Sequence, residues 1–147
     1  MLAAIAAAEH GHQVQLFEKN EKLGKKIYIT GKGRCNVTNA CDTEELFAAV
    51  VHNPKFLYSS FYSFTNQDMM ELVERNGCPL KTERGGRVFP VSDKSSDVIR
   101  ALTVCLKNAG VQVRLYEEVD SVETRDGRVS GICLLYTSDA ADDRISV

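Results

Sequence analysis

Leu2 to Glu18 holds a pattern that few folds can use: an alanine-rich helix, a glycine, then a short apolar strand ending in an acid. Ala3, Ala4, Ala6, Ala7 and Ala8 give the helix a small face that can lie close on a sheet. Gly11 ends it. Gln13 to Glu18 places Val14, Leu16 and Phe17 among polar residues and reads as a short, mostly buried strand. Helix, glycine turn, strand and terminal acid make the second half of a βαβ unit. The fold class expected is therefore α/β, a Rossmann-like domain with a helical insert and β-hairpins. It is an incomplete one, because the first strand and the GxGxxG turn that open such a unit have no counterpart in the sequence.

The run Gly24 to Asn39 packs glycines, cations and small hydrogen-bonding side chains into what reads as one loop after that strand. Glycine lets backbone N–H groups approach an anion, Lys and Arg neutralise it, and Asn and Thr can bond its polar neighbours. Glu18, at the strand end, is placed to accept hydrogen bonds from ribose hydroxyls; the alternative is a solvated acid that opens a charged loop. Lys19, Lys22, Lys25, Lys26, Lys32 and Arg34 stand against only Glu18 and Glu21, and suit phosphate, nucleic acid or plain solvation. Glycine flanks and Asn36 favour an anionic group such as phosphate for Arg34, whereas Lys22 and Lys25 read as solvated. Gly31-Lys32-Gly33 is not a P-loop: Gly24 is too distant for GxxxxGK, and Gly33 stands where Ser or Thr should meet magnesium.

Beyond this run Asp42 and Thr43 can cap a helix reaching about Val51, stopped by Asn53-Pro54. Phe56, Leu57, Phe61, Tyr62 and Phe64 recur at near-helical spacing and are expected to be core. Thr65 and Asn66 offer caps for a helix ending before Gly77. Leu80 to Val91 reads as a hairpin turning at Glu83 to Arg87. Arg84 and Arg87 either support a substrate or simply decorate that hairpin. Ser95 or Ser96 caps an amphipathic helix with Val98, Ile99, Leu102, Cys105, Leu106 and Ala109 on one face. Val111, Val113 and Leu115 alternate as a strand, and a second hairpin turns at Asp126-Gly127.

Composition narrows the function. The chain has 147 residues and a formal charge of −2, which gives no general case for nucleic acid. No apolar run approaches the roughly 20 residues of a membrane span. The apolar N-terminus lacks a cationic leader, so the expected location is cytoplasmic. Five cysteines without CxxC spacing suit reduced thiols, and no clustered ligands suggest a metal. Cys35 has a cationic neighbourhood that favours thiolate, but without a resolving partner a packing role is expected. His10, His12 and His52 show neither metal nor triad spacing.

Glu18-Lys19-Asn20-Glu21-Lys22-Leu23-Gly24-Lys25-Lys26, Thr30-Gly31-Lys32-Gly33-Arg34-Cys35-Asn36-Val37-Thr38-Asn39 and Arg84-Gly85-Gly86-Arg87-Val88-Phe89-Pro90-Val91-Ser92-Asp93-Lys94 together resemble one family. It is the bacterial NAD(P)/FAD-dependent oxidoreductases, or aminoacetone oxidase-like flavoproteins, which include a flavoprotein of bile-acid dehydroxylation. The likeness runs from Met1 to Ile132. It implies an FAD-binding Rossmann domain interrupted by a substrate-side domain, with FAD as redox centre and NAD(P)H as a possible electron donor. By the same resemblance Glu18 holds the adenosine ribose, with Lys19 beside it, and Val119 meets the adenine through its backbone. Lys26, Gly31, Gly33, Arg34, Cys35, Asn36 and Thr38 line the pyrophosphate-to-flavin path. The substrate is expected to be a small molecule, with neither nucleic acid nor membrane as partner, and no catalytic residue is assignable.

After Ile132 the pattern of the domain stops. Cys133 to Asp143 reads like the translation of a sequencing adaptor, so residues 1–132 are expected to be a partial FAD-binding domain and 133–147 a read-through tail. The chain is then an N-terminal fragment of an FAD-dependent oxidoreductase. A non-catalytic nucleotide-binding module and an inactive truncated piece are the alternatives.

Overall fold

The computed structural model describes residues 1–135 and 145–146. In chain order the first elements are α1 (Leu2–Glu9), β1 (Gln15–Glu18), α2 (Lys25–Ile29), β2 (Thr38–Asn39), α3 (Thr43–Ala48), α4 (Tyr58–Ser63) and α5 (Asn66–Arg75). Then follow β3 (Leu80–Glu83), β4 (Arg87–Pro90), α6 (Ser95–Asn108), β5 (Gln112–Leu115), β6 (Glu118–Arg125), β7 (Arg128–Leu135) and β8 (Ile145–Ser146). The chain divides into two compact units, Met1–Leu23 with Leu106–Val147, and Gly24–Cys105.

In the first unit β1 lies parallel to β5, with Leu16 opposite Val113 and Glu18 opposite Leu115. This pair carries the Rossmann character expected of the helix–glycine–strand pattern. Among the described residues β1 has no second strand neighbour, and Leu16 and Phe17 are half-buried rather than buried as expected. A strand covered on one edge and incompletely on its faces retains exposed side chains. Ile5, Leu23, Leu106 and Val111 are buried here. β6 and β7 pair antiparallel around Asp126 and Gly127, whose φ angles of 52° and 72° are those of the primed turn that Asp-Gly favours. β7 runs to Leu135, three residues past the boundary expected after Ile132. The rest of the expected adaptor-derived tail, 136–144 and 147, lies outside the described residues.

In the second unit β2, β4 and β3 form an antiparallel sheet in that order. The expected hairpin is there, with Gly85 and Gly86 at positive φ in its turn. Asp42 caps α3 by accepting from Glu45 N at 2.8 Å, yet the helix stops at Ala48 rather than Val51. α5 starts with a capping box: Asp68 N donates to Thr65 Oγ1 and Thr65 N donates to Asp68 Oδ2. Val73, Cys78, Val88, Phe89 and Pro90 are buried, as are Val98, Ile99, Leu102 and Cys105 along the expected face of α6, and Ala101 beside it.

Two expectations are corrected in this unit. The run after Gly24 is not one loop, because Lys25–Ile29 is helical and Thr30–Gly33 continues as a 3-10 turn. Nothing in Lys-Lys-Ile-Tyr-Ile breaks a helix, and Tyr28 N donates to Gly24 O. The aromatic residues are not core either: Phe56 is 78% exposed, and Tyr58, Tyr62 and Phe64 are exposed too. α3 and α4 are six residues each and bury nothing. Their rings instead pack on one another, the Phe47 centroid lying 5.2 Å from Tyr58, stacked, and 5.1 Å from Phe61, tilted.

Candidate functional site

The site residues expected from the sequence fall into two groups, one in each unit. The first sits at the carboxyl end of the parallel pair, where ligands of open α/β sheets bind. Glu18 closes β1, and its Oε1 accepts from Asn20 N at 2.9 Å and from Asn20 Nδ2 at 2.5 Å. An acid followed two residues later by Asn thus fixes its own carboxylate by local turn bonding. The chain leaving β5 folds back on this tip: Glu117 N donates to Glu18 O at 3.1 Å and Tyr116 N to Asn20 O at 3.3 Å. Lys19 pairs with Glu118 at 3.0 Å, an exposed contact of little energetic weight. Val119 lies on β6 opposite Leu134.

Glu117 was not singled out in the sequence, where it is one of two adjacent acids. Its Oε1 accepts from Arg114 Nε at 2.8 Å, while Oε2 is buried without a hydrogen-bond partner. A carboxylate oxygen in that condition is costly until a donor reaches it. Hydroxyls of a ribose are such donors, so the chemistry of this strand tip fits the adenosine end of a dinucleotide.

The second group is the segment around Arg34. Lys26 lies on α2 and is exposed; Gly31 and Gly33 belong to the 3-10 turn. Lys32, Gly33 and Cys35 have φ of 52°, 83° and 60°, so three of four consecutive residues are left-handed. Only glycine takes that conformation without cost, so the two non-glycine residues need support from elsewhere. Burial pushes the Cys35 thiol up, toward its neutral form, against the thiolate that its cationic neighbourhood in the sequence would favour. Cys78 is pushed up chiefly by the same cause.

Arg34 is held from three sides. Its Nη2 donates to Glu83 Oε1 at 2.5 Å and to Asp93 Oδ1 at 2.6 Å, while Nε reaches the same Asp93 oxygen at 2.9 Å. The guanidinium carbon sits 4.1 Å from the centre of the Phe89 ring. Lys81 completes the cluster, 2.7 Å from Asp93 Oδ2. The Arg34 guanidinium holds Glu83 below the usual carboxylate range, and Lys81 with Arg34 does the same to Asp93. Arg34 in turn is raised by these two carboxylates.

The neighbouring polar residues also bond to the hairpin. With its amide nitrogen turned to the carbonyls, Asn36 donates to Thr38 O at 2.9 Å and Val88 O at 3.1 Å. Thr38 pairs with Val88 in the sheet, and Val37 N donates to Val88 O at 2.8 Å. Asn39 Nδ2 donates to Gly85 O, and a Cβ on Gly86 would collide with the Asn39 carboxamide. Two of the three runs that carry the family resemblance, 30–39 and 84–94, are therefore one bonded structure. Arg87, by contrast, donates to Arg84 O and lies 6.0 Å from the Phe89 ring centre.

The family described as HI0933-like protein Rossmann domain matches residues 1–143. The chain belongs to that family. It is 33% identical over 127 residues to a 3-dehydro-bile acid delta(4,6)-reductase of Clostridium scindens, covering 84% of this chain and 30% of that protein. A ribosomal RNA dihydrouridine synthase of Escherichia coli is 32% identical over 122 residues, covering 83% of this chain and 30% of the relative. The Haemophilus influenzae protein of the same name is 28% identical over 123 residues. The chain thus spans 30% of the length of these curated relatives. A solved structure of Thermovibrio ammonificans THI4 superposes with a TM-score of 0.57 at 12% identity, over 99% of this chain and 48% of that one, which shows a shared fold. No helix among the described residues is long and apolar enough to cross a membrane. Among those residues no group of His, Cys, Asp and Glu could hold a metal ion.

Proposed function

We propose that this chain is the nucleotide-binding part of an FAD-dependent oxidoreductase, and that it holds the adenosine diphosphate portion of FAD. The observation that carries the reading is Glu18 at the carboxyl end of a parallel strand, with the unpartnered Oε2 of Glu117 on the segment bonded to it. Glu18 would accept from the ribose hydroxyls, with Lys19 and Val119 beside the adenosine. Lys26, Gly31, Gly33, Cys35, Asn36 and Thr38 belong to the pyrophosphate-to-flavin portion, and Arg34 to its support. FAD, when bound, supplies the hydride chemistry, and the chain's own residues supply position and electrostatics.

The reaction class follows from the relatives' names. A delta(4,6)-reductase and a dihydrouridine synthase both add hydrogen across a carbon–carbon double bond. The reaction proposed for the protein carrying this chain is reduction of such a bond, with NAD(P)H as electron donor. A small molecule is the substrate class proposed first, as the name of the reductase relative suggests. Uridine in ribosomal RNA is the second reading, favoured by the names of two relatives.

The test is FAD binding by the full-length protein, followed through quenching of flavin fluorescence. Glu18→Ala should weaken binding by about tenfold, the effect of losing a charge-assisted hydrogen-bond acceptor. Unchanged affinity would remove Glu18 from the site. Turnover of a carbonyl-conjugated alkene against a uridine-containing ribosomal RNA fragment then decides the substrate class.

A further inference from the structure

The Gly31–Asn39 motif looks, as sequence, like a cation-bearing loop offered to an anion. Its arginine is differently engaged. The Arg34 guanidinium is shared between Glu83 at the end of β3 and Asp93 just beyond β4, and rests on Phe89 of β4. An arginine with two carboxylates at hydrogen-bond distance has little charge left for a diphosphate. The backbone on either side of it, Lys32 to Cys35, is left-handed at three of four positions and needs an anchor.

From this geometry we infer that Arg34 is a positioning residue: through Glu83 and Asp93 it clamps the Lys32–Cys35 backbone onto the β3–β4 hairpin, and it is the backbone so held, not the guanidinium, that serves the cofactor. Asp93 is the pivot, since it receives Arg34 on Oδ1 and Lys81 on Oδ2. The inference rests on the flavin-binding reading above and assigns roles within it.

A direct anion ligand and a clamp differ in what happens when the acid is removed. If Arg34 binds phosphate itself, Asp93→Asn frees it and FAD binding is unchanged or tighter. If it is a clamp, Arg34→Ala and Asp93→Asn are two ways of breaking one contact. The experiment measures the FAD dissociation constant of the full-length protein for both single variants, the double variant and the charge exchange Arg34→Asp/Asp93→Arg. Each single variant is expected to weaken FAD by about tenfold, the double variant by no more than either single one, and the exchange to recover part of the loss. Melting temperature should fall by a few degrees at most near neutral pH, because the pairs are only half-buried or exposed.

Trypsin cleavage after Lys32 gives a second readout that needs no flavin, and Asp93→Asn should speed it. Asp93→Asn that leaves both FAD affinity and cleavage unaltered while Arg34→Ala loses FAD would overturn the clamp and restore Arg34 as a direct ligand. Wild-type protein with no affinity for FAD would overturn the functional reading instead, and the cleavage rates would still decide whether the clamp exists.

Discussion

Gly24 shows how one residue can be fixed by both its backbone and its neighbours. Its φ is +73°, and a Cβ built there would lie 2.9 Å from Ile99 Cγ1 and 3.0 Å from Cδ1. Gly24→Ala should therefore cost about 1–3 kcal/mol, from left-handed strain and overpacking together, read as a fall in the denaturant midpoint. At Gly33 a Cβ would meet nothing within 4 Å, so substitution there costs backbone strain alone and should be milder. The Arg34 cluster makes a prediction in pH. Glu83 and Asp93 are depressed in the folded chain, so their contribution is fully present above the unfolded carboxylate pKa of about 4 and is lost as pH falls through the depressed values. The melting-temperature gap between wild type and the Glu83→Gln/Asp93→Asn double variant should accordingly close on acidification from about pH 6 to about pH 2. A gap that stays constant over that range would show that the carboxylates carry no linked proton.

At the scale of elements, helices were legible where caps and periodicity agree. The Thr65 box opens α5 and the Val98–Leu106 face of α6 is buried, as their sequences require. Thr65→Ala should cost about 1 kcal/mol by removing the cap, whereas Leu106→Ala, at a fully buried position, should cost about 2–5 kcal/mol. Equilibrium unfolding of the two variants checks the ratio. The aromatic run from Phe56 to Phe64 misled because spacing reports which residues share a face, not whether anything covers that face. α2 was missed because its lysines and the glycines on either side, Gly24 and Gly31, resemble a loop, while the five residues Lys25–Ile29 carry no breaker.

For the whole molecule, the proposed nucleotide site depends on the parallel β1–β5 pair. Two short strands are marginal as a sheet, and among the described residues no third strand joins them. The 147-residue chain by itself should therefore retain far less FAD than the full-length protein, judged by absorbance near about 450 nm after gel filtration. Equal, near-stoichiometric yellow protein from both would mean that the parts described here suffice.

Local chemistry in the sequence determined the elements that depend only on neighbours: the α1–Gly11–β1 unit with its terminal acid, the Asp126-Gly127 hairpin and the capped helices. It also marked Glu18 and the Gly31–Asn39 motif as places where chemistry is concentrated. Tertiary structure alone decided what those groups touch. Arg34 meets Asp93 because β2 and β4 pair, and Glu117 reaches the β1 tip because β5 lies parallel to β1. Contacts between residues far apart in the chain exist only after backbone pairing has set the distance, so a cation beside glycines could be recognised in advance but its partner could not.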